Sequence, residues 1–158
     1  MAITAKDAAA LRAQTGAGMM DCKKALEAAN GDMDKATEIL RERGVAVAAK
    51  KASRIASEGA VAAYVSADRK TAALVEVNCE SDFVAKTDDF LNLAGDAAKI
   101  VVEANPADVD ALLAEKTADG TVLEAVNNAT AKIGEKIAIR RFVRKTVNGV
   151  AETYIHMG

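Results

Sequence analysis

The residues able to do covalent chemistry are few and poorly spaced for it. His156 is the single histidine of the 158-residue chain. Any Ser-His-Asp or Cys-His relay would have to be built around it. Cys22 and Cys79 form no CxxC pair, and two cysteines with one histidine fall short of the four soft ligands of a structural zinc. The glycines of Thr15-Gly16-Ala17-Gly18-Met19 lack the Gly-Lys-Ser/Thr ending of a phosphate loop. They also lead from one predicted helix into another rather than from a strand into a helix. Most carboxylates fall at predicted helix starts, where the helix dipole accounts for them. No catalytic residue, metal ligand or cofactor is therefore expected.

Two segments have a chemistry suited to contact. In Gly18-Met19-Met20-Asp21-Cys22-Lys23-Lys24, helical spacing places Met20 beside Lys23, Lys24 and Glu27, away from a Met19–Cys22–Leu26 stripe. A flexible apolar side chain on a charged face suits an adaptable contact surface; it could equally round out a thin core. The second segment is Asn78-Cys79-Glu80-Ser81-Asp82-Phe83-Val84-Ala85-Lys86. It leaves a strand and begins a helical turn with Ser81 or Asp82 as cap. The plainer reading has Phe83 packing inward. The alternative is an Asp-Phe pair exposed at a loop tip, a wedge for a partner's pocket.

The elements that must carry these segments are legible from periodicity. Three short helices are expected in the first 44 residues. The first is capped by Thr4 with Asp7 as its box partner, buries Ala8 and Leu11, and ends at Gln14. The second runs from Met19 to Asn30 with Met19, Cys22, Leu26 and Ala29 inward. The third starts at Asp32, buries Met33, Ala36, Ile39 and Leu40, and stops at Gly44. Val45–Arg54 continues as helix or solvated basic linker, with a domain boundary near Ser53–Gly59. Ala60–Ser66 and Thr71–Asn78 read as a β-hairpin. Helices are expected from Thr87, with a Phe90, Leu93, Ala94, Ala97, Ile100, Val101 stripe; from Asn105-Pro106, with Pro in the first position; and from the Thr121–Glu124 capping box to Gly134. Lys136–Val147 alternates as a strand, and Asn148-Gly149 signals a hairpin into a returning strand at Val150–Met157. The expected fold is α+β: a three-helix bundle with basic helical linker (1–54), then an α+β subdomain (55–158) with helices on one face of an antiparallel sheet. The last residues read as a strand leading further, as in a piece of a longer protein.

Composition narrows the function classes. Lys plus Arg is 21 and Asp plus Glu 23, a net charge of −2, which argues against a chain-wide phosphate-binding footprint. Residues 1–56 carry +3 and residues 57–158 carry −5, a split that hints at two units with different surfaces. With three Phe, two Tyr and no Trp, stacking platforms for single-stranded nucleic acid are not expected. A hydrophobic content of 51% excludes disorder. No apolar run approaches the ~20 residues of a membrane span, and Met1-Ala2-Ile3-Thr4 does not open a secretory signal. Two cysteines make no disulfide framework, so a soluble, cytoplasmic protein without direct nucleic-acid or membrane binding is expected.

The two contact segments also carry a resemblance. Thr15–Leu26 is similar to the N-terminal signature of the translation elongation factor Ts family, and Glu76–Ala85 to its second signature. Ala131-Lys132-Ile133-Gly134-Glu135 with Ile139-Arg140-Arg141 resembles a third, and Tyr154-Ile155-His156 a fourth. They occur in the family's order across essentially the whole chain, with Ser81 where many relatives have Thr. The resemblance implies a ubiquitin-associated-like helical module followed by the first of two α+β core subdomains, the second being absent. It implies a guanine nucleotide exchange factor, with no enzymatic chemistry, for the GTPase elongation factor Tu in its GDP-bound and nucleotide-free forms. By the resemblance, Asp82 and Phe83, within Ser81–Val84, reach the region of the GTPase's bound magnesium. Arg12, Met19, Met20 and Lys23 dock on the same nucleotide domain, and Ile133, Gly134 and His156 lie at or near the interface. The competing reading is a ubiquitin-like or nascent-chain-binding adaptor built on the three-helix module. A small hydrolase fails on its residue inventory.

Overall fold

The computed structural model describes residues 3–156. Its first helix, α1 (Ala5–Thr15), starts at a full capping box: the Asp7 N–H donates to Thr4 Oγ1, and the Thr4 N–H donates to Asp7 Oδ2 at 2.9 Å. After the turn at Gly16 come α2 (Met19–Ala28) and α3 (Met33–Lys51), the latter capped by Asp32. Ala8, Leu11, Cys22, Ala25, Leu26, Ala29, Ala36 and Leu40 form one buried cluster. Met19, expected inward, is instead 39% exposed; Ala25 occupies the inner face that the periodicity had not credited to it.

α3 does not stop at Gly44. It runs through it, because Gly44 keeps right-handed backbone and contributes proximity rather than a cap. A Cβ there would stand 2.9 Å from Asn128 Oδ1 and 3.7 Å from the Asn127 carbonyl. The missing side chain lets α3 lie directly against α7 (Val122–Ile133). An ion pair of 3.1 Å from Arg41 to Glu124 spans the same seam.

The sheet has three antiparallel strands in the order β1 (Glu58–Val65), β2 (Thr71–Cys79), β5 (Ala138–Thr146). Ala73, Val75, Val77 and Cys79 alternate toward the helices, and Leu74 faces away. Between Glu76 and Val77 the register to β5 slips: Glu76 faces Arg141 and Val77 faces Ile139, leaving Arg140 as a bulge. The long helix α5 (Asp88–Ala104) lies across β1 and β2 and buries Phe90, Ala94, Ala97, Ala98, Val101 and Val102. Leu112 of α6 (Val109–Ala114), Val122 and Val126 of α7, and Ile137 and Ile139 complete the second buried cluster.

Two expectations are corrected here. The helix predicted to open at Asn105-Pro106 opens at Val109 with Asp108 as its cap, because Asn105 has gone left-handed (φ 52) to terminate α5. The hairpin at Asn148-Gly149 does not form either. Neither residue adopts the positive φ that a tight primed turn requires, and residues 150–156 form no strand. The chain is diverted to the β1–β2 turn: the Val147 N–H donates to the Lys70 carbonyl, the Ala151 N–H to the Arg69 carbonyl, and Lys70 Nζ to the Asn148 and Gly149 carbonyls. Met157, the last residue of the expected strand, lies outside the described residues. A two-residue hairpin, β3 (Lys116–Thr117) with β4 (Gly120–Thr121), links α6 to α7 and had no signal in the periodicity.

Candidate functional site: the Asp-Phe tip and the exposed side of α2

Directly after β2 the chain makes one helical turn, α4 (Asp82–Ala85). Ser81 is its cap, with Oγ accepting from the Val84 N–H. Asp82 is not the cap; it is exposed and paired with Lys86 Nζ at 2.9 Å. The hydrogen bond from that ammonium, and its charge, hold the Asp82 carboxyl below the usual carboxylate range. Phe83 is 81% exposed, so the inward packing favoured by the bare sequence is overturned. The reason is that the half-buried Val84, not Phe83, packs against the core, and Phe90 one element later fills the interior at 0% exposure. A phenyl ring left in water forfeits roughly 1.5–3 kcal/mol of burial that a partner could supply.

The base of the tip is held by polar contacts. Cys79, buried at the end of β2, donates from Sγ to the Ser81 carbonyl at 3.1 Å, and burial pushes its thiol pKa up. Glu135, just past the left-handed Gly134 that ends α7 (φ 87), accepts from the Glu80 N–H, the Ser81 N–H and Ser81 Oγ at 3.1, 3.0 and 2.7 Å. In return Glu80 accepts from the Lys136 N–H at 2.6 Å, and this bond, with Arg54 nearby, holds the Glu80 carboxyl below its usual range. Lys136 Nζ donates to the Ala52 and Arg54 carbonyls and Lys51 Nζ to the Gly134 carbonyl, so the end of α3 joins the same network.

On the helical bundle, Met20 is 62% exposed and Lys23 stands beside it, 3.9 Å from Glu27. The core reading of Met20 is therefore overturned, and its side chain stands free on a charged face. Arg12 is exposed on α1. Ile133 is half-buried at the end of α7 and lines a cleft of about 590 Å³ between α5 and α7 that reaches Thr15 and Gly16 at the end of α1. Glu135 thus ties Ser81, the cap of the tip, to the chain that follows Ile133 and Gly134. His156 is exposed, and its Nδ1 lies 3.2 Å from the Tyr154 hydroxyl. Periodicity did not reveal the crossing of Glu80 and Glu135, since one follows a strand and the other a helix cap, 55 residues apart. Among the described residues no group of His, Cys, Asp and Glu converges to hold a metal ion, and no helix is long and apolar enough to cross a membrane.

Comparison with known proteins points the same way. The family model described as "Elongation factor TS" matches residues 80–158, half of the chain and the half that contains the tip and its support. Over 158 residues the chain is 54% identical to "Elongation factor Ts" of Clostridium perfringens (strain SM101 / Type A), covering 99% of this chain and 52% of that protein. It is 51% identical to the protein of the same name from Clostridium tetani (strain Massachusetts / E88), covering 98% of this chain and 52% of the other. The chain thus spans about half the length of the curated relatives it matches. With the family's motifs carried on an α+β scaffold and aligned over nearly every residue, the chain belongs to the elongation factor Ts family.

Proposed function

We propose that this chain binds the GTPase elongation factor Tu and promotes release of its GDP during translation elongation, with the Asp82–Phe83 tip as the acting element. The observation that carries the reading is an aromatic ring, 81% exposed, on a capped and braced helical turn in a member of this family. Mg²⁺ requires near-ideal octahedral geometry and bridges nucleotide phosphates to a GTPase. A side chain wedged beside that site displaces the groups that hold the ion, and the nucleotide loses its bridge. Exchange factor and GDP then weaken one another's binding by the same factor, and each ~1.4 kcal/mol of coupling is tenfold in affinity. Burying Phe83 supplies energy of that order. Met20, with Met19, Lys23 and Arg12, provides a second contact on the same nucleotide domain, in the GDP-bound and nucleotide-free forms. No bond is made or broken by the protein, so the role asks for no general base.

The test is the rate at which a fluorescent GDP analogue leaves elongation factor Tu, with and without this chain. Acceleration by the wild-type chain, lost in Phe83→Ala and reduced in Asp82→Ala, is the expected result. Equal acceleration by wild type and Phe83→Ala would remove the tip from the mechanism; no acceleration by wild type would remove the activity from this chain.

A further inference from the structure

The ring of Phe83 stands in water, while Val84 and Ala85 seat its helical turn on the core. A second, polar support lies underneath the start of that turn. Both oxygens of the Glu135 carboxylate point back at the two residues before α4: Oε2 takes the N–H groups of Glu80 and Ser81, and Oε1 takes the Ser81 hydroxyl at 2.7 Å. Hydrogen bonds to a charged acceptor are stronger than neutral ones, and two converging on one oxygen define an angle as well as a distance. Ser81 is at the same time the cap of α4, so Glu135 acts on the residue that sets where the helical turn begins. Its own backbone is anchored from the other side, because Glu80 holds the Lys136 N–H and Lys51 Nζ holds the Gly134 carbonyl.

We infer that Glu135 is a positioning residue for the Asp82–Phe83 tip: it fixes the aim of Phe83 before any partner is met, so that the ordering cost of the tip is met on folding rather than in the bound complex at the step that displaces the nucleotide. The inference rests on the exchange role proposed above. It assigns to Glu135 no contact with the partner.

Two measurements on the full chain test it. The first needs no partner. In Glu135→Ala the Ser81 and Val84 amides exchange with solvent about tenfold faster than in wild type, while amides of β2 and α5 are unchanged. Unaltered Ser81 protection would overturn the clasp. The second uses elongation factor Tu loaded with a fluorescent GDP analogue. Glu135→Ala lowers the release rate at saturation about threefold or more, with the half-saturating concentration within about twofold of wild type. Glu135→Gln, which keeps one acceptor oxygen for the two N–H groups, lies between, and it serves if the alanine variant does not fold. In the Phe83→Ala background the Glu135 change has no further effect beyond about twofold, because a mis-aimed ring that is absent costs nothing. Additive losses, or a loss confined to half-saturation, would make Glu135 a general structural residue and overturn the inference. Failure of wild type to accelerate release overturns both the exchange role and the positioning role, with the amide result still deciding the clasp by itself.

Discussion

Gly44 of α3 and Asn128 of α7 meet so closely that a single added carbon would stand 2.9 Å from the Asn128 side-chain oxygen. The contact joins the helical bundle to the sheet-bearing part of the chain through a glycine in mid-helix, where intrinsic preference alone favours another residue by ~1 kcal/mol. Substitution tests the seam by size. Gly44→Ala gains helix preference and has only the end of an Asn side chain to displace, so its unfolding free energy stays within about 1 kcal/mol of wild type. Gly44→Leu must push α7 away and lowers stability by about 1–3 kcal/mol in urea titration.

Phe83 and Phe90 lie seven positions apart and at opposite extremes of exposure. Phe90→Ala opens a cavity under α5 and costs about 3–5 kcal/mol in the same titration. Phe83→Ala changes unfolding free energy by less than about 0.5 kcal/mol. A large stability loss for Phe83→Ala would place the ring in the core.

Met20 is the most exposed large apolar side chain of α1 to α3. If the bundle docks on the GTPase, Met20→Ala weakens association by at least about fivefold, a hot-spot effect above 1 kcal/mol, and leaves the release rate at saturation near wild type. Phe83→Ala does the reverse. Titration calorimetry together with release kinetics separates the two; identical profiles would contradict the division of labour.

Glu80 makes stability depend on acid. Its carboxyl lies below its ordinary value in the folded chain, chiefly through the Lys136 N–H, so the ionised form favours folding. That contribution is present above the unfolded glutamate value of about 4.3 and is lost as pH falls through the lower folded value. Glu80→Gln keeps an oxygen for the Lys136 N–H but cannot titrate. It is less stable than wild type at pH 7, and the gap narrows on acidification toward pH 3, read from urea midpoints across that range. A constant gap would remove Glu80 from the pH response.

Local signals carried most of the fold. The Thr4 and Thr121 capping boxes, the Phe90–Val101 stripe and the β1–β2 hairpin are each encoded within two dozen residues, and each forms where its pattern lies. Misreadings arose where a local signal met a distant competitor. Asn148-Gly149 invites a hairpin, but Arg69 and Lys70, across the sheet, take the following segment instead. Gly44 looks like a helix stop until α7 is laid against it. Phe83 looks like core because aromatic residues usually are; only the placement of Val84 and Phe90 shows the interior already filled. The Glu80–Glu135 exchange escaped altogether, since hydrogen bonds between loops leave no period in a sequence.

The central strand β2 takes its second neighbour, β5, from 60 to 75 residues downstream, whereas α1 to α3 are closed by contacts within the first 51. A chain emerging from the ribosome can therefore shut its helical bundle early, while one edge of β2 waits unpaired until Thr146 has left the exit tunnel. During that interval the Asp-Phe turn also lacks Glu135 beneath it. A nascent chain halted before the loop after α7 would carry the aromatic ring on a turn whose carboxylate brace had not yet been made.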